Sequence, residues 1–399
     1  GSSLINFALP LYILMATNNP ALLGTVMAFS WIPMVLFNPF GGVMADRLNK
    51  KNVVTFFQFL TAIAIVLYVI LTGHLNVMIL SIIMLIVVTI LQTFPSASFE
   101  TAVYSLIPME ELMRANQVTW IMMLGSGVAA PMFAGFIMRS FGLSTVVYIS
   151  AGFYVISMLL NSLIKMPFTK PEKSTDTVIK MIAKDTKTGF NYIFKENKTL
   201  QKATIAMCLM ALILGPVLFF IPQVFITTIL QMDETRLGFA QGAIAVGGII
   251  GVLVLGKFEK KITIEKTQPL LASGSIVLII TAAVFGLTNS DFVAYLAIII
   301  GLFLVNSLMA MFSMLFFTYL GQHTPEDIVG KVMSFAMTIM FGSYAAVGFL
   351  SGRLFELFSG QPELSIVVLP AIALLVSPLV RMKKVEDKNV ELEVPSTIN

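Results

Sequence analysis

Eleven residues, Gly41 to Lys51 (GGVMADRLNKK), hold the densest chemistry in this chain. An acid, Asp46, stands beside a base, Arg47; two glycines precede them, and Lys50 and Lys51 follow. The cluster lies where one long apolar segment ends and the next begins. Charges at such a border are costly to bury and rarely idle. Gly41 and Gly42 would let two helices approach closely there. The design returns at Gly251 to Lys261 (GVLVLGKFEKK), where Lys257 answers Arg47, and Lys260 and Lys261 answer Lys50 and Lys51. Gly256 occupies the place of Asp46, so only the first copy keeps the acid. Two related halves are a common plan for secondary transporters.

Bond-making chemistry finds no support. Gly251 to Lys257 mimics a phosphate-binding loop, but Phe258 stands where a magnesium-binding Ser or Thr belongs, and the motif ends an apolar helix instead of following a strand. Gly125-Ser126-Gly127 with Ala129 and Ala130 mimics a dinucleotide fingerprint, again inside an apolar helix, where close helix packing explains it better. Cys208 is the single cysteine, which excludes a disulfide framework or a CxxC metal site. His74 and His323 are separated by most of the chain, and neither is expected to be catalytic or to bind metal. No nucleophile, base and orienting group stand together, so the chain does not read as an enzyme. No cofactor is implied.

The elements that must position these residues are membrane helices. The chain is 57% hydrophobic and only 12% charged, with a mean hydropathy of +0.91, outside the globular range. Apolar runs of about 20 residues can cross a bilayer. Twelve such runs are predicted, at 1–17, 20–44, 53–72, 77–103, 115–138, 143–165, 203–228, 237–257, 268–287, 292–320, 331–355 and 364–381. The alternating pattern of a membrane barrel is absent. The first run is short, and the sequence before Gly1 is expected to continue that helix. The predicted division is a six-helix bundle over 1–165, a linker over 166–202, a second bundle over 203–382 and a tail over 383–399. Gly215-Pro216, inside the seventh run, is expected to break and kink it.

Of 25 lysines and arginines, only Arg139, Arg236 and Arg353 fall on one side of these runs. The rest lie on the other, which the positive-inside rule makes cytoplasmic, with both termini. The net charge of +4 therefore belongs to topology and does not indicate nucleic acid. In the linker, Val178, Ile182, Phe190 and Ile193 recur among lysines. This predicts an amphipathic helix lying on the inner leaflet, with a solvated linker as the alternative.

GGVMADRLNKK resembles the signature loop between helices 2 and 3 of the major facilitator superfamily, through Gly42, Asp46, Arg47, Lys50 and Lys51. Residues 127–135 (GVAAPMFAG) are similar to the antiporter motif of helix 5, with Gly127, Pro131 and Gly135 matching and Ala130 and Ala134 replacing glycines. The segments 94–118 and 323–335 look most like the macrolide-efflux-type branch of drug:proton antiporters. The resemblance implies an all-α membrane protein of twelve helices in two pseudo-symmetric six-helix bundles, alternating access around a central cavity, and proton-coupled export of hydrophobic or amphiphilic compounds from the inner membrane. It also implies that Asp46 engages the N-terminus of helix 11, near Lys331, and latches the halves when the cavity opens outward. Local pairing of Asp46 with Arg47 or Lys50 is the alternative. A second echo supports the repeat: Glu110, Glu111 and Arg114 are matched by Glu326, Asp327 and Lys331, acids before a helix suiting its positive end.

Helices 1, 4, 7 and 10 line the cavity in this fold, with 2, 5, 8 and 11 beside them. Asn6 is expected about 16 Å from the end of its helix, near the midplane. Gln92 and Asn306 fall at similar depth, where amides should face protein or cavity. Trp31, Trp120, Phe7, Phe219 and Phe312 are candidates for aromatic walls, although with 32 Phe and 25 Met most such residues must pack or face lipid. An antiporter also needs a titratable group. Glu100 is the deepest acid, about 35 Å along its helix from Val77, and is the proton-carrying candidate; an interfacial pair with Arg114 is the alternative. The expected partners are an amphiphilic small molecule, protons and the bilayer, with the protein a monomer. A siderophore or lysolipid exporter is the second transport reading, and a transporter-like receptor or scaffold without flux is the reading from another class.

Overall fold

The computed structural model describes residues 1–106, 112–164, 178–216, 220–258, 262–325 and 328–382. The described regular elements are all helical: α1 (Ser2–Thr17), α2 (Pro20–Arg47), α3 (Lys50–Leu71), α4 (Val77–Leu106), α5 (Leu112–Phe141), α6 (Leu143–Leu163), α7 (Val178–Asn191), α8 (Lys198–Gly215), α9 (Ile221–Gln223), α10 (Glu234–Phe258), α11 (Thr267–Leu287), α12 (Asp291–Gln322), α13 (Val329–Leu357) and α14 (Pro362–Val376). Nine described helices are long and apolar enough to cross a membrane. The other three predicted runs coincide with α1, α5 and the interrupted α8–α9 segment.

Asparagine and serine caps start several of these helices by accepting an otherwise orphaned backbone N–H. Asn19 accepts from Leu22 N at 3.0 Å, Asn49 from Asn52 N at 3.4 Å and Ser290 from Val293 N at 3.5 Å. Asn197 accepts from Thr199 N and Leu200 N at 3.1 and 3.0 Å. That cap starts α8 at Lys198, inside the stretch assigned to the linker from sequence. Only Leu48 and Asn49 separate α2 from α3, so Asp46 and Arg47 belong to the last turn of a helix and not to a loop.

The helices run back and forth between two faces. One carries the turns at 18–19, 142, 230–233, 288–290 and 358–361; the other carries the 48–49 joint, α7 and most of the lysines, and is called the basic face below. Helices α1 to α6 pack among themselves, as do α8 to α14. The two groups meet along α2 with α13 and along α5 with α10. Helix α1 is central. Ile5, Leu9 and Ile13 face a cluster with α3, α4 and α6, while Phe7, Leu11 and Leu14 face a cluster shared with the second group. Lipid offers no hydrophobic driving force between helices, so small residues that admit close backbones must carry such packing. Inside the second group, a Cβ on Gly247 or Gly251 would strike the carbonyl of Phe303 or Ser307 of α12.

The predicted linker helix exists as α7, but it is not a free surface element. Gly189 packs on Phe335 and the Lys331 carbonyl of α13, Phe190 and Phe194 surround the Phe335 ring, and Asp185 pairs with Lys331 at 3.5 Å. It also touches α2. The expected amphipathic helix is thus held on α13 and α2 at the basic face, with Ile179 still exposed.

Candidate transport path

The path is defined by where the two groups close on each other. At the face opposite the basic one they are sealed along two seams of small residues. In the first, a Cβ on Gly24 of α2 would lie 2.7 Å from the Gly348 carbonyl of α13, and Gly348 and Gly352 abut Ala28 and Ala21 in return. In the second, a Cβ on Gly135 of α5 would collide with the Glu234 carbonyl, and one on Gly238 of α10 would lie 2.5 Å from the Pro131 carbonyl. Arg139 then bridges to Asp233 at 2.7 Å, joining the groups at the rim. The other carboxylate oxygen of Asp233 accepts from Arg236 N at 2.9 Å and so starts α10.

Halfway along, the contact loosens. A Cβ on Gly127 would come only within 3.9 Å of the Ala245 Cβ, and Trp31 stacks on Phe341 at 5.8 Å and tilts against Tyr344 at 5.5 Å. Toward the basic face the same helices stand clear: a Cβ on Gly125 of α5 or on Gly256 of α10 would meet nothing within 4 Å. The groups therefore touch closely at one end and diverge at the other.

The residues proposed from sequence are distributed unevenly over this path. Gly127, Pro131 and Gly135 lie on the α5–α10 seam. Asn6 is exposed although Leu4, Ile5 and every residue from Phe7 to Leu11 are buried. Trp31 lies at the α2–α13 contact between the groups. Gln92 donates to the Tyr154 hydroxyl at 2.8 Å and so joins α4 to α6.

Three placements differ from the expected cavity walls. Asn306 donates to the Ile244 carbonyl at 2.8 Å, tying α12 to α10; its amide is spent on helix packing. Phe312 is 1% exposed against Phe316, inside the core. Phe7 is 3% exposed in the cluster joining the two groups, so it does not face open space in this arrangement. Phe219 lies outside the described residues, as do Glu326 and Asp327, and nothing is described of the side chains of Glu100, Trp120, Gly42, Asp46 and Arg47. Lys50 begins α3, followed by Lys51.

Helix α8 ends at Gly215 with Pro216 as its cap, and the chain resumes as α9 and a π-wound segment, Val224–Ile229. At Gly215-Pro216 the α winding gives way to π winding, and residues 217–219 lie outside the described residues. The π winding and the fully buried amide just before it, Gln223, have no counterpart in the expectations from sequence. A lone amide beside a proline in the apolar run FFIPQVFI was the signal that could have found it.

The Major Facilitator Superfamily profile matches residues 1–377. The enterobactin exporter EntS of Shigella flexneri is 24% identical over 336 residues, spanning 82% of this chain and 75% of that protein. Among solved structures, a D-xylose-proton symporter superposes with a TM-score of 0.75 at 14% identity, covering 95% of this chain and 94% of the other. A bacterial homologue of the iron transporter ferroportin gives 0.70 at 16% identity, covering 96% and 95%.

Proposed function

The chain belongs to the Major Facilitator Superfamily, whose members are multi-pass membrane transporters and not enzymes, and from that premise we propose that it exports a siderophore-type amphiphile by alternating access. The observation that carries this reading is the similarity to an enterobactin exporter across 82% of the chain. Sequence motifs alone put macrolide-type drug efflux first and siderophore export second. The relative favours the reverse order.

The positions of Lys and Arg support placing the basic face in the cytoplasm and the protein in the inner membrane, with both termini inside. The sealed face is then external, and the arrangement described is the inward-open one. Substrate enters between the exposed ends of α5 and α10 and meets Asn6 on α1. The proposed working units are 1–165, 166–202, 203–382 and 383–399, and the protein acts as a monomer. Proton antiport supplies the energy in this reading, with Glu100 as the carrier. Asp46, with Gly42, Arg47, Lys50 and Lys51, latches α2 to α13 in the outward-open state. A carboxylate in the last turn of a helix faces the negative end of its dipole, and the N-terminus of α13 offers it the positive end that its own helix lacks.

Drug efflux is kept as a second reading because the segments 94–118 and 323–335 look most like the macrolide-efflux-type branch. The two are separated in inside-out vesicles. Gradient-dependent uptake of enterobactin, with little uptake of ethidium, is expected. Gradient-dependent uptake of ethidium alone would replace siderophore export with drug efflux.

A further inference from the structure

Gln223 is a polar side chain among core residues, Ile221, Val224 and Phe225. It is 2% exposed, and its Oε1 has no hydrogen-bond partner, although buried amides are nearly always satisfied. It ends the short turn α9, after the end of α8 at Gly215 and just before the π segment Val224–Ile229. Such winding is rare and concentrates at functional sites. An acceptor left unsatisfied beside irregular backbone is what remains when the missing donor belongs to another state or to a ligand.

A recess lies one turn further toward the sealed face. Thr227, whose hydroxyl donates to the Gln223 carbonyl at 2.5 Å, lines it together with Leu14, Asn18, Thr228, Gln231 and Glu234, around a volume of about 270 Å³. Its walls come from both groups: Leu14 and Asn18 from the end of α1, the others from the π segment and the start of α10. Asn18 and Gln231 hold the chain reversals on either side with left-handed backbone, φ 47° and 48°. Separating the groups at this face would pull that recess apart and uncover the turn below it.

We propose that Gln223 and this recess form a release-side binding site, in which the Gln223 amide oxygen accepts a hydrogen bond from a hydroxyl or N–H donor on the departing substrate. A carbonyl oxygen can only accept, so the partner must donate. The Glu234 carboxylate at the recess adds negative charge, which favours neutral, donor-rich ligands over anions. Substrate leaving the centre would meet Gln223 first, then Thr227, Asn18 and Gln231, then water. The site lies apart from the inner route between the basic-face ends of α5 and α10. The inference rests on the exporter reading and assigns that exporter a contact on its outer side.

Gln223→Met keeps the side chain's length and removes the unpaired oxygen. Purified Gln223→Met is expected to melt no lower than the unaltered protein. In inside-out vesicles its uptake of enterobactin, relative to fully O-methylated enterobactin, should fall at least tenfold, because O-methylation caps the donors that Gln223 recognises. An unchanged ratio would overturn the site. If the unaltered protein carries neither compound, the siderophore reading fails by itself, and labelling decides the site instead. Gln223→Cys in a Cys208→Ala background should react with a small charged maleimide at least tenfold faster when Gly135→Ala is added to prise the sealed face open. Equal rates with and without Gly135→Ala would mean that position 223 is never uncovered, and would overturn the proposal.

Discussion

Gly135→Ala is the sharpest test of the sealed seam. The new Cβ would collide with the Glu234 carbonyl oxygen and lie 3.2 Å from the Gly238 Cα. All of these are backbone atoms, so no rotamer change relieves the clash; α5 and α10 must separate. Overpacking of this kind costs about 1–3 kcal/mol. The higher helix propensity of alanine returns roughly 0.5–1 kcal/mol, but it does so in every conformation. The two terms therefore act on different quantities: overall stability changes little, while the closed arrangement alone is penalised by about 2 kcal/mol. At about 1.4 kcal/mol per tenfold, the conformational equilibrium moves about 30-fold, enough to lower a closed state held at about 99% to about 77%. Spin labels at Asn18→Cys and Gln231→Cys, in a Cys208→Ala background, flank the recess from the two groups. Their distance distribution should gain a distinct long component in Gly135→Ala. Gly251→Ala is the control: its clash is with Ser307 inside the second group, so it should lower the melting temperature and leave the distances alone. If Gly135→Ala gives the parent distances with only a lower melting temperature, the seam does not govern the conformational state.

Asp46→Asn is expected to cut transport at least tenfold while leaving expression and substrate binding intact, since a carboxylate–helix-dipole contact of up to about 2 kcal/mol would be lost from one state only; parent-level transport would reduce Asp46 to a local residue. Glu100→Gln should abolish both gradient-driven efflux and substrate-induced proton release in proteoliposomes, and survival of both would remove Glu100 as the carrier. Cysteines at Asn49 and Thr186 should react with an impermeant reagent only in inside-out vesicles and one at Gln231 only in intact cells; labelling of Asn49→Cys in intact cells would reverse the orientation.

The spans were legible because the signal is a length. An apolar run of about 20 residues has few ways to satisfy its backbone except as a crossing helix, and α3, α6 and α11 start and end within a few residues of the expected limits. Depth was legible for the same reason, since it follows from counting residues. Azimuth was not. Asn306 and Gln92 have the depth of cavity residues, but an amide that must avoid lipid is equally satisfied by a neighbouring helix, and both bond to one. Phe312 shares that ambiguity, because an aromatic ring fits a core as well as a cavity wall. The docking of α7 was hidden differently. The periodicity of Val178, Ile182 and Phe190 announces an apolar stripe without saying what covers it, and the small Gly189 that admits Phe335 is silent in a hydrophobicity pattern.

The two copies of the basic joint also bear on why only the first carries an acid beside its first base. Helix α10 ends with Lys257 in its last turn, where a base suits the negative end of the dipole, and Gly256 fills the place of Asp46. That half ends its helix with no acid at the place of Asp46, so ending a helix there does not require one at that position. In the first half Asp46 sits against its own helix dipole, an arrangement that costs stability unless a positive partner is supplied. Helices α2 and α13 run antiparallel and in contact, which brings the C-terminus of one and the N-terminus of the other to the same face. Helix α7 is packed against both of them, with Asp185 paired to Lys331 in the first turns of α13. The proposed latch and the linker helix thus address the same end of α13. Closing the basic face would require the Asp185–Lys331 contact to yield or rearrange as Asp46 engages, so Asp185→Asn should favour the outward-open state while Asp46→Asn disfavours it. Opposite shifts in the distance between spin labels on the basic-face ends of α5 and α10 would establish that competition, and shifts in the same direction would refute it.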